Sequence, residues 1–272
     1  MGHLALRVTD VTMLRLCLLL LAFVPWVQGA NLSLEQRLSA ELDTPDLSGE
    51  AVWLDAEGTR FLAIHSPAER TPAQGGVILL HDGGSHADWH EVIHPLRLAL
   101  AHQGWDTLSL QMPAVEAPPG PGELASLLTQ ANARIQAAVN YFGGRQIATL
   151  VLTGHGLGAL MALNYARSPN ADAVTAVVAI GLEIPTRAEE DPLRQALAQR
   201  RVPLYDLYGS RDRDAVMQSA VERRKIAQQM NRPGYRQEAM AGADHFFTGL
   251  QSSLSQRVIA WLKALQSRGE SQ

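Results

Sequence analysis

Short apolar runs alternate with longer amphipathic stretches through most of the chain. Gly76–Leu80, 150–152 and Val174–Ile180 are almost wholly apolar, which is typical of strands buried on both faces of a parallel sheet. Residues 123–142 carry leucine, isoleucine and alanine at helical spacing, which predicts a helix with one buried face. The alternation predicts an α/β fold: one doubly wound, mostly parallel sheet of about eight strands flanked by helices.

Other patterns extend this prediction. Residues 50–66 alternate between apolar and polar around a turn at 55–58, which predicts a β-hairpin. Asp88 and Glu91 have the spacing of a capping box, so a helix is expected to begin at Asp88 and run toward His102. Further strands are expected at 105–111, 202–208 and 235–240, and further helices at 159–166, 214–230 and 250–265.

The N-terminus has the pattern of a secretory signal. Arg7 and Arg15 precede an apolar run at 16–24, Pro25 ends the run, and small residues at 27–30 offer a cleavage site. We therefore predict a signal peptide at 1–30, an N-terminal polar segment at 31–49 and a single domain at 50–268.

This organisation limits where the protein works and what it binds. The apolar run is shorter than the roughly 20 residues that span a bilayer, so we expect no stable membrane span after cleavage and a periplasmic or secreted protein. An uncleaved anchor is the alternative. The only cysteine, Cys17, lies in the leader, so the mature chain has no thiol nucleophile. The net charge of −4 provides no basic surface for nucleic acid.

A glycine-rich turn follows the apolar run at 150–152. Its residues are Gly154-His155-Gly156-Leu157-Gly158, and a stretch of good helix formers comes next. Strand, glycine-rich turn and helix form the setting of a nucleophile elbow, whose pattern is G-x-S-x-G. Gly156 stands at the position of the serine, and it has no side chain that can attack a substrate.

Three further turns occur in a characteristic order around this elbow. Residues 77–84 form a strand and a His-Asp-Gly-Gly turn, residues 205–212 end in Gly-x-x-Asp, and residues 242–247 read Gly-x-x-His-x-Phe. Together with the elbow they resemble the α/β-hydrolase superfamily over about residues 50–265. Together with the segment at 104–113, these turns also resemble an exported bacterial group of unknown function. The resemblance implies a fold but no established substrate.

The resemblance also implies roles for single residues. It makes His245 the catalytic base and Asp212 its acid partner, with Asp206 and Asp214 as nearby alternatives for the acid. It makes the backbone N–H groups of Leu157 and Gly83 the donors of an oxyanion hole.

Two functions follow from the loss of the elbow serine. The first is a non-catalytic protein that keeps the pocket, with Gly156, Leu157 and Gly83 around it, and binds a small molecule or a partner. The second is a divergent esterase or acyl hydrolase that uses His245 with water or with a serine outside the elbow. Ser85 lies in the loop after the first central strand and is the candidate serine, although a loop serine commonly satisfies backbone groups.

Two histidines complete the candidate binding set. His81 lies in the oxyanion turn, and His155 precedes Gly156, where a hydrogen-bonded structural role is favoured. A serine introduced in place of Gly156 is expected within hydrogen-bond reach of His245.

No metal or cofactor is predicted. His81, His86, His90 and His94 lie close together in sequence, but Pro95 interrupts their expected helix and no zinc-binding spacing occurs. The glycines at 154–158 also resemble a dinucleotide-binding turn, but the third glycine comes one residue too early.

Overall fold

A computed structural model describes residues 32–42, 47–115, 119–184, 202–232 and 234–269. The predicted signal peptide at 1–30 lies outside these residues. None of the helices in the described ranges is long and apolar enough to cross a membrane.

Eight strands form one sheet in the order β1-β2-β4-β3-β5-β6-β7-β8. Their bounds are Glu50–Ala56 (β1), Thr59–Ser66 (β2), Gly76–Leu80 (β3), Asp106–Leu110 (β4), Leu150–His155 (β5), Val174–Ile180 (β6), Leu204–Gly209 (β7) and Tyr235–Met240 (β8). The hairpin β1–β2 is antiparallel and pairs antiparallel with β4, while every other pairing is parallel. The predicted fold class is confirmed.

Helices cover both faces of the sheet. Their bounds are Leu32–Leu42 (α1), Ile93–His102 (α2), Pro121–Gly144 (α3), Leu157–Ala166 (α4), Asp214–Gln229 (α5) and Gln251–Gly269 (α6). Side chains of α3, α4 and α5 share one hydrophobic cluster with the sheet, and those of α2 and α6 share another. Every residue of β3 and β5 is buried between these layers, as their apolar sequences predict.

Helix α2 begins later than the sequence predicts, at Ile93 instead of Asp88. The carboxylate of Asp88 does not cap a helix but binds His94 Nδ1 at 2.9 Å and the guanidinium of the fully buried Arg97. Because the helix starts at Ile93, Pro95 falls in its first turn, where a missing N–H breaks no helical hydrogen bond. The proline therefore does not interrupt α2.

The N-terminal polar segment contributes a helix that packs on the domain. Glu35 of α1 is buried and forms a 2.7 Å ion pair with the buried Arg134 of α3. Its other oxygen accepts the N–H of Ala114, in the loop after β4, at 3.0 Å. Through Glu35, helix α1 thus connects this loop to α3.

Candidate functional site

The parallel strands end at a common edge of the sheet, and the candidate residues meet there. Gly83 follows β3, Gly156 follows β5, Asp212 follows β7, and His245 lies in the turn after β8. Ligands of open α/β sheets bind outside the carboxyl ends of the strands, so the fold places these residues where a site is expected.

The elbow keeps the backbone that a nucleophile would need. Gly156 adopts φ +55° and ψ −118° at the start of α4, a conformation that is strained for any residue with a side chain. A Cβ on Gly154 would lie 2.3 Å from the carbonyl oxygen of Gly158, so β5 and α4 cross too closely for a larger residue. Gly154 and Gly156 therefore have the close packing and the positive φ that the predicted elbow requires.

Asp212 is the acid that orients His245. Its Oδ1 lies 2.6 Å from His245 Nδ1, and its two oxygens also accept the backbone N–H groups of Gly209 and Arg213. Burial alone would raise the pKa of Asp212, but the hydrogen bond from His245 and the two N–H donors hold it below its usual value. The alternative acid, Asp206, instead forms a buried ion pair with Arg223 at 2.7 Å.

Asp82 lies where the resemblance implies the oxyanion hole formed by Leu157 and Gly83. Its Oδ1 accepts the N–H of Leu157 at 2.7 Å and the N–H of Gly83 at 2.9 Å, and its Oδ2 lies 3.1 Å from His245 Nε2. The two predicted donors therefore do converge on one point, and an oxygen atom of Asp82 occupies it. An ideal Cβ on Gly156 would lie only 2.1 Å from the same Oδ1. The carboxylate of Asp82 thus lies against both predicted donors and occupies the space that a side chain on Gly156 would need.

This arrangement corrects the expectation for a serine at position 156. Such a serine would overlap the Asp82 carboxylate before it could reach His245, so it fits only if Asp82 moves. Sequence reasoning singled out Gly83 and passed over Asp82. Asp82 could have been noticed in the sequence, because it stands directly before Gly83, in the turn that is expected to bind a carbonyl oxygen.

The protonation of the site follows from its hydrogen bonds. Both ring nitrogens of His245 face carboxylate oxygens, which only accept, so both nitrogens donate and the ring is an imidazolium. Burial would lower the pKa of His245, but its bonds to Asp212 and Asp82 raise it. Burial would likewise raise the pKa of Asp82, but the bond from His245 and the N–H of Leu157 hold it well below its usual range.

Arg213 is a second residue that sequence reasoning missed. Its Nη1 lies 3.4 Å from Asp82 Oδ2, and its guanidinium lies over the ring of Phe246, 5.5 Å from the centroid. The positive charges of Arg213 and His245 balance the negative charges of Asp82 and Asp212. The site is a neutral array of four charges.

His81 and His155 support the backbone of the site. His81 donates from Nδ1 to the Asp82 carbonyl at 2.7 Å and accepts the Met112 N–H on Nε2 at 2.9 Å. His155 donates from Nε2 to the His245 carbonyl at 2.9 Å. Burial lowers the pKa of both rings to about 4, so both are neutral. Each ring fixes the turn that carries a charged member of the array.

Ser85 is not a partner of His245, because Asp82 and Asp212 take both ring nitrogens. Ser85 is buried, and its backbone N–H donates to the Asp82 carbonyl at 3.0 Å. The structure therefore places the candidate serine inside the turn that positions Asp82.

Across the described ranges, one group of side chains has the composition of a metal site. Ligand atoms of Asp82, His155 and His245 lie within 4.8 Å of one another. The same space faces two backbone N–H groups, the Arg213 guanidinium and the N-terminal end of α4, all of which carry positive charge. These charges disfavour a cation and suit the anion that Asp82 already provides.

The histidines that are close in sequence do not converge. His81 is bonded to Met112, His94 is bonded to Asp88, and His90 is exposed, with 75 % of its side-chain surface accessible. Their spacing therefore does not form a metal site.

One family model matches most of the chain. The sequence profile of one family, described as "Protein of unknown function (DUF3530)", matches residues 25–132 and 123–264. Among curated proteins, none matches the sequence.

Many solved structures share the architecture. Est1E from Butyrivibrio proteoclasticus is 16% identical, with a TM-score of 0.64, over 81% of this chain and 100% of that one. An alpha-beta serine hydrolase homologue from Coxiella burnetii is 15% identical, with a TM-score of 0.62, over 80% of this chain and 99% of that one. A dienelactone hydrolase from Anabaena variabilis is 17% identical, with a TM-score of 0.59, over 79% of this chain and 96% of that one. At this level of identity the likeness concerns the fold alone.

Proposed function

Since the chain belongs to this family of proteins of unknown function, we propose that it is a hydrolase-fold protein that has lost acyl hydrolysis by a serine and binds a small molecule at the four-charge array. One observation carries the proposal. Asp82 Oδ1 accepts the two N–H groups that would otherwise stabilise an acyl oxyanion, at 2.7 and 2.9 Å.

An ester or amide substrate needs this position for its own carbonyl oxygen. With Asp82 in place, the substrate carbonyl has no donors, and the elbow offers no hydroxyl to attack it. The alternative, an acyl hydrolase that uses His245 with water or Ser85, has less support. The imidazolium of His245 carries protons on both nitrogens and cannot accept another.

The surroundings of the array suit a small organic ligand. Phe246 packs edge-on against His245 with centroids 5.1 Å apart, and Trp89 lies 6.2 Å from Phe246. Both rings are only partly buried, and the Phe246 ring lies directly beside two of the charged groups, His245 and Arg213. Pockets with apolar walls and a few placed polar groups are the usual form of small-molecule sites.

Two assays on the purified protein test the proposal. A reactive fluorophosphonate should label no residue, and hydrolysis of short acyl esters should not exceed that of the His245→Ala variant. Strong labelling that disappears in Ser85→Ala would refute the proposal and make the protein a hydrolase with a relocated serine.

Export is part of the proposed function. The apolar run at 16–24, Pro25 and the small residues at 27–30 support a cleaved signal and a periplasmic or secreted protein. N-terminal sequencing should find a mature chain that begins near residue 30. An intact Met1 on a protein that fractionates with cytoplasmic markers would contradict export.

A further inference from the structure

We propose that a groove between α5 and β8 binds a small anion, a polar molecule that carries a carboxylate or a phosphate group. The groove has a volume of about 450 Å³, within the range of about 300–1,000 Å³ that is usual for small-molecule sites. It lies at the amino end of β8, whereas the four-charge array lies at the carboxyl ends of the strands. The inference therefore concerns a second site and goes beyond the proposed function.

Two arginines supply the charge of the groove. Arg224 is an exposed residue of α5, and Arg232 lies in the turn before β8; both line the groove. The other residues of its wall, within the described part of the chain, are uncharged, so the groove is positive. A guanidinium binds carboxylate and phosphate oxygens through paired N–H groups, and this match defines the class of ligand.

A hydrogen-bonded network orients Arg224. Its Nε donates to Gln237 Oε1 at 2.8 Å, and Gln237 Nε2 donates to Asp206 Oδ2 at 2.9 Å and to the Ala220 carbonyl at 2.8 Å. Because the amide nitrogen of Gln237 is held from below, its oxygen faces Arg224. The two Nη groups of Arg224 have no hydrogen-bond partner among the described residues, so they can bind a ligand.

The carboxylate beneath the groove does not neutralise Arg224. Asp206 is fully buried and pairs with Arg223 through both of its oxygens, at 2.7 and 3.0 Å. Tyr235, which lines the groove, also donates its hydroxyl to Asp206 at 2.7 Å. Burial and the charge of Asp206 raise the pKa of Tyr235 well above its usual value, so this hydroxyl keeps its proton. The charge of Asp206 is thus compensated by Arg223, below the groove.

The end of α5 fixes the position of Arg232. Asn231 has φ +43°, and the N–H groups of Asn231 and Arg232 donate to the carbonyls of Gln228 and Ala227, at 3.0 Å each, as in a Schellman motif. The Arg232 side chain is buried, with 9 % of the residue exposed, and its Nη2 donates to the Val202 carbonyl at 3.0 Å. These bonds satisfy carbonyls at the C-terminal end of α5, whose negative partial charge would otherwise oppose an anion.

The rest of the wall favours a polar ligand. Gln228 and Asn231 are exposed and line the groove with side-chain amides, which can both donate and accept hydrogen bonds. Hydroxyl groups on the ligand would find partners there. Citrate and glucose 6-phosphate combine hydroxyl groups with a carboxylate and with a phosphate, so they are the two probes.

Isothermal titration calorimetry of the purified protein at low ionic strength tests the site. We expect saturable binding of citrate, of glucose 6-phosphate or of both, at one molecule per chain, and the probe that binds more tightly identifies the preferred anion. Arg224→Gln should weaken this binding about 10-fold or more, as expected for the loss of a hydrogen bond between charged groups. Absence of saturable binding for both probes, or binding of uncharged glucose with the same affinity, would overturn the proposal.

Two other arginines provide the controls. Arg236 is an exposed residue of β8 that donates to Glu238 at 2.8 Å and does not line the groove, so Arg236→Gln should bind the probes as the wild type does. Equal weakening in Arg236→Gln and Arg224→Gln would show unspecific attraction and overturn the proposal. Arg213→Gln removes a charge of the array instead. Binding that is lost in Arg213→Gln and kept in Arg224→Gln would overturn the second site and leave the proposed function standing.

Chemical modification locates the bound probe. Arg224 and Arg236 are both exposed, so phenylglyoxal should modify both guanidinium groups, as read by mass spectrometry of their peptides. A saturating concentration of the probe should protect Arg224 and leave Arg236 reactive. Binding in the calorimeter without protection of Arg224 would place the ligand elsewhere and contradict the proposal.

Discussion

A serine substituted for Gly156 would overlap sterically with the carboxyl group of Asp82. The three atoms nearest to an ideal Cβ at this position all belong to the Asp82 carboxyl group, at 2.1, 2.2 and 2.7 Å. Ordinary contacts with a Cβ begin at 3.4 Å, so the carboxylate must retreat by more than 1 Å. That movement breaks its hydrogen bonds with the N–H groups of Leu157 and Gly83.

The expected cost can be worked out from these contacts. Hydrogen bonds to charged groups contribute about 1.5–3 kcal/mol each, so losing two costs roughly 3–6 kcal/mol. The positive φ of residue 156 adds about 1–3 kcal/mol of strain for a serine. The Gly156→Ser variant should therefore lose roughly 4–9 kcal/mol, a large part of the stability of a typical domain, which is about 5–15 kcal/mol.

Removal of the carboxylate should relieve the clash. Asp82→Ala takes away the three atoms that lie nearest to the new Cβ, so the overlap with the carboxylate no longer adds to the strain of the serine. In a double-mutant cycle measured by urea unfolding, Asp82→Ala/Gly156→Ser should be at least about 2 kcal/mol more stable than the sum of the single variants predicts. The double variant should also react with a fluorophosphonate, because its oxyanion donors are free and its hydroxyl lies near His245.

A neighbouring glycine provides the control for this cycle. Gly84 has no atom within 4 Å of an ideal Cβ, so Gly84→Ser should cost little and should add to Asp82→Ala without coupling. Additivity within about 0.5 kcal/mol for Gly156→Ser and Asp82→Ala would refute the overlap. Fluorophosphonate labelling of the Gly156→Ser single variant would refute it as well.

Three further predictions concern the core, the N-terminal helix and the charge array. Leu152→Ala, at a fully buried position of β5, should lower the free energy of unfolding by about 2–5 kcal/mol, and a loss below about 0.5 kcal/mol in urea unfolding would contradict its central place. Glu35→Gln leaves the buried Arg134 without its ion partner and should cost about 3–5 kcal/mol in the same assay; wild-type stability would show that α1 is not docked. Folding raises the pKa of His245, so protonation of this residue stabilises the folded protein. This stabilisation is fully present below about pH 6.5 and is lost as the pH rises through the higher pKa of the folded state. The stability difference between the wild type and His245→Gln should therefore shrink above about pH 6.5, and a difference that grows with pH would contradict the imidazolium.

The sequence by itself determined the sheet and the frame of the site. The apolar runs of β3, β5 and β6 carry apolar side chains on both faces, so these strands are stable only when both faces are covered by helices. The resemblance also implied Asp212 as the partner of His245, with Asp206 and Asp214 left as alternatives. The structure decides among them, because Asp212 and His245 lie in turns after neighbouring parallel strands and meet at 2.6 Å.

The contacts that decide the chemistry came only from the tertiary structure. Asp82 and Leu157 are separated by 75 positions, and Glu35 and Arg134 by 99. Hydrophobic periodicity does not predict the orientation of a side chain in a turn, because that orientation depends on how closely the strands and the helix around the turn pack. At this site Gly154 and Gly158 let α4 pack so closely against β5 and the end of β3 that the N–H of Leu157 reaches Asp82 in the turn after β3. The absence of a side chain on Gly156 is visible in the sequence, but the carboxylate that takes its place is decided by this packing.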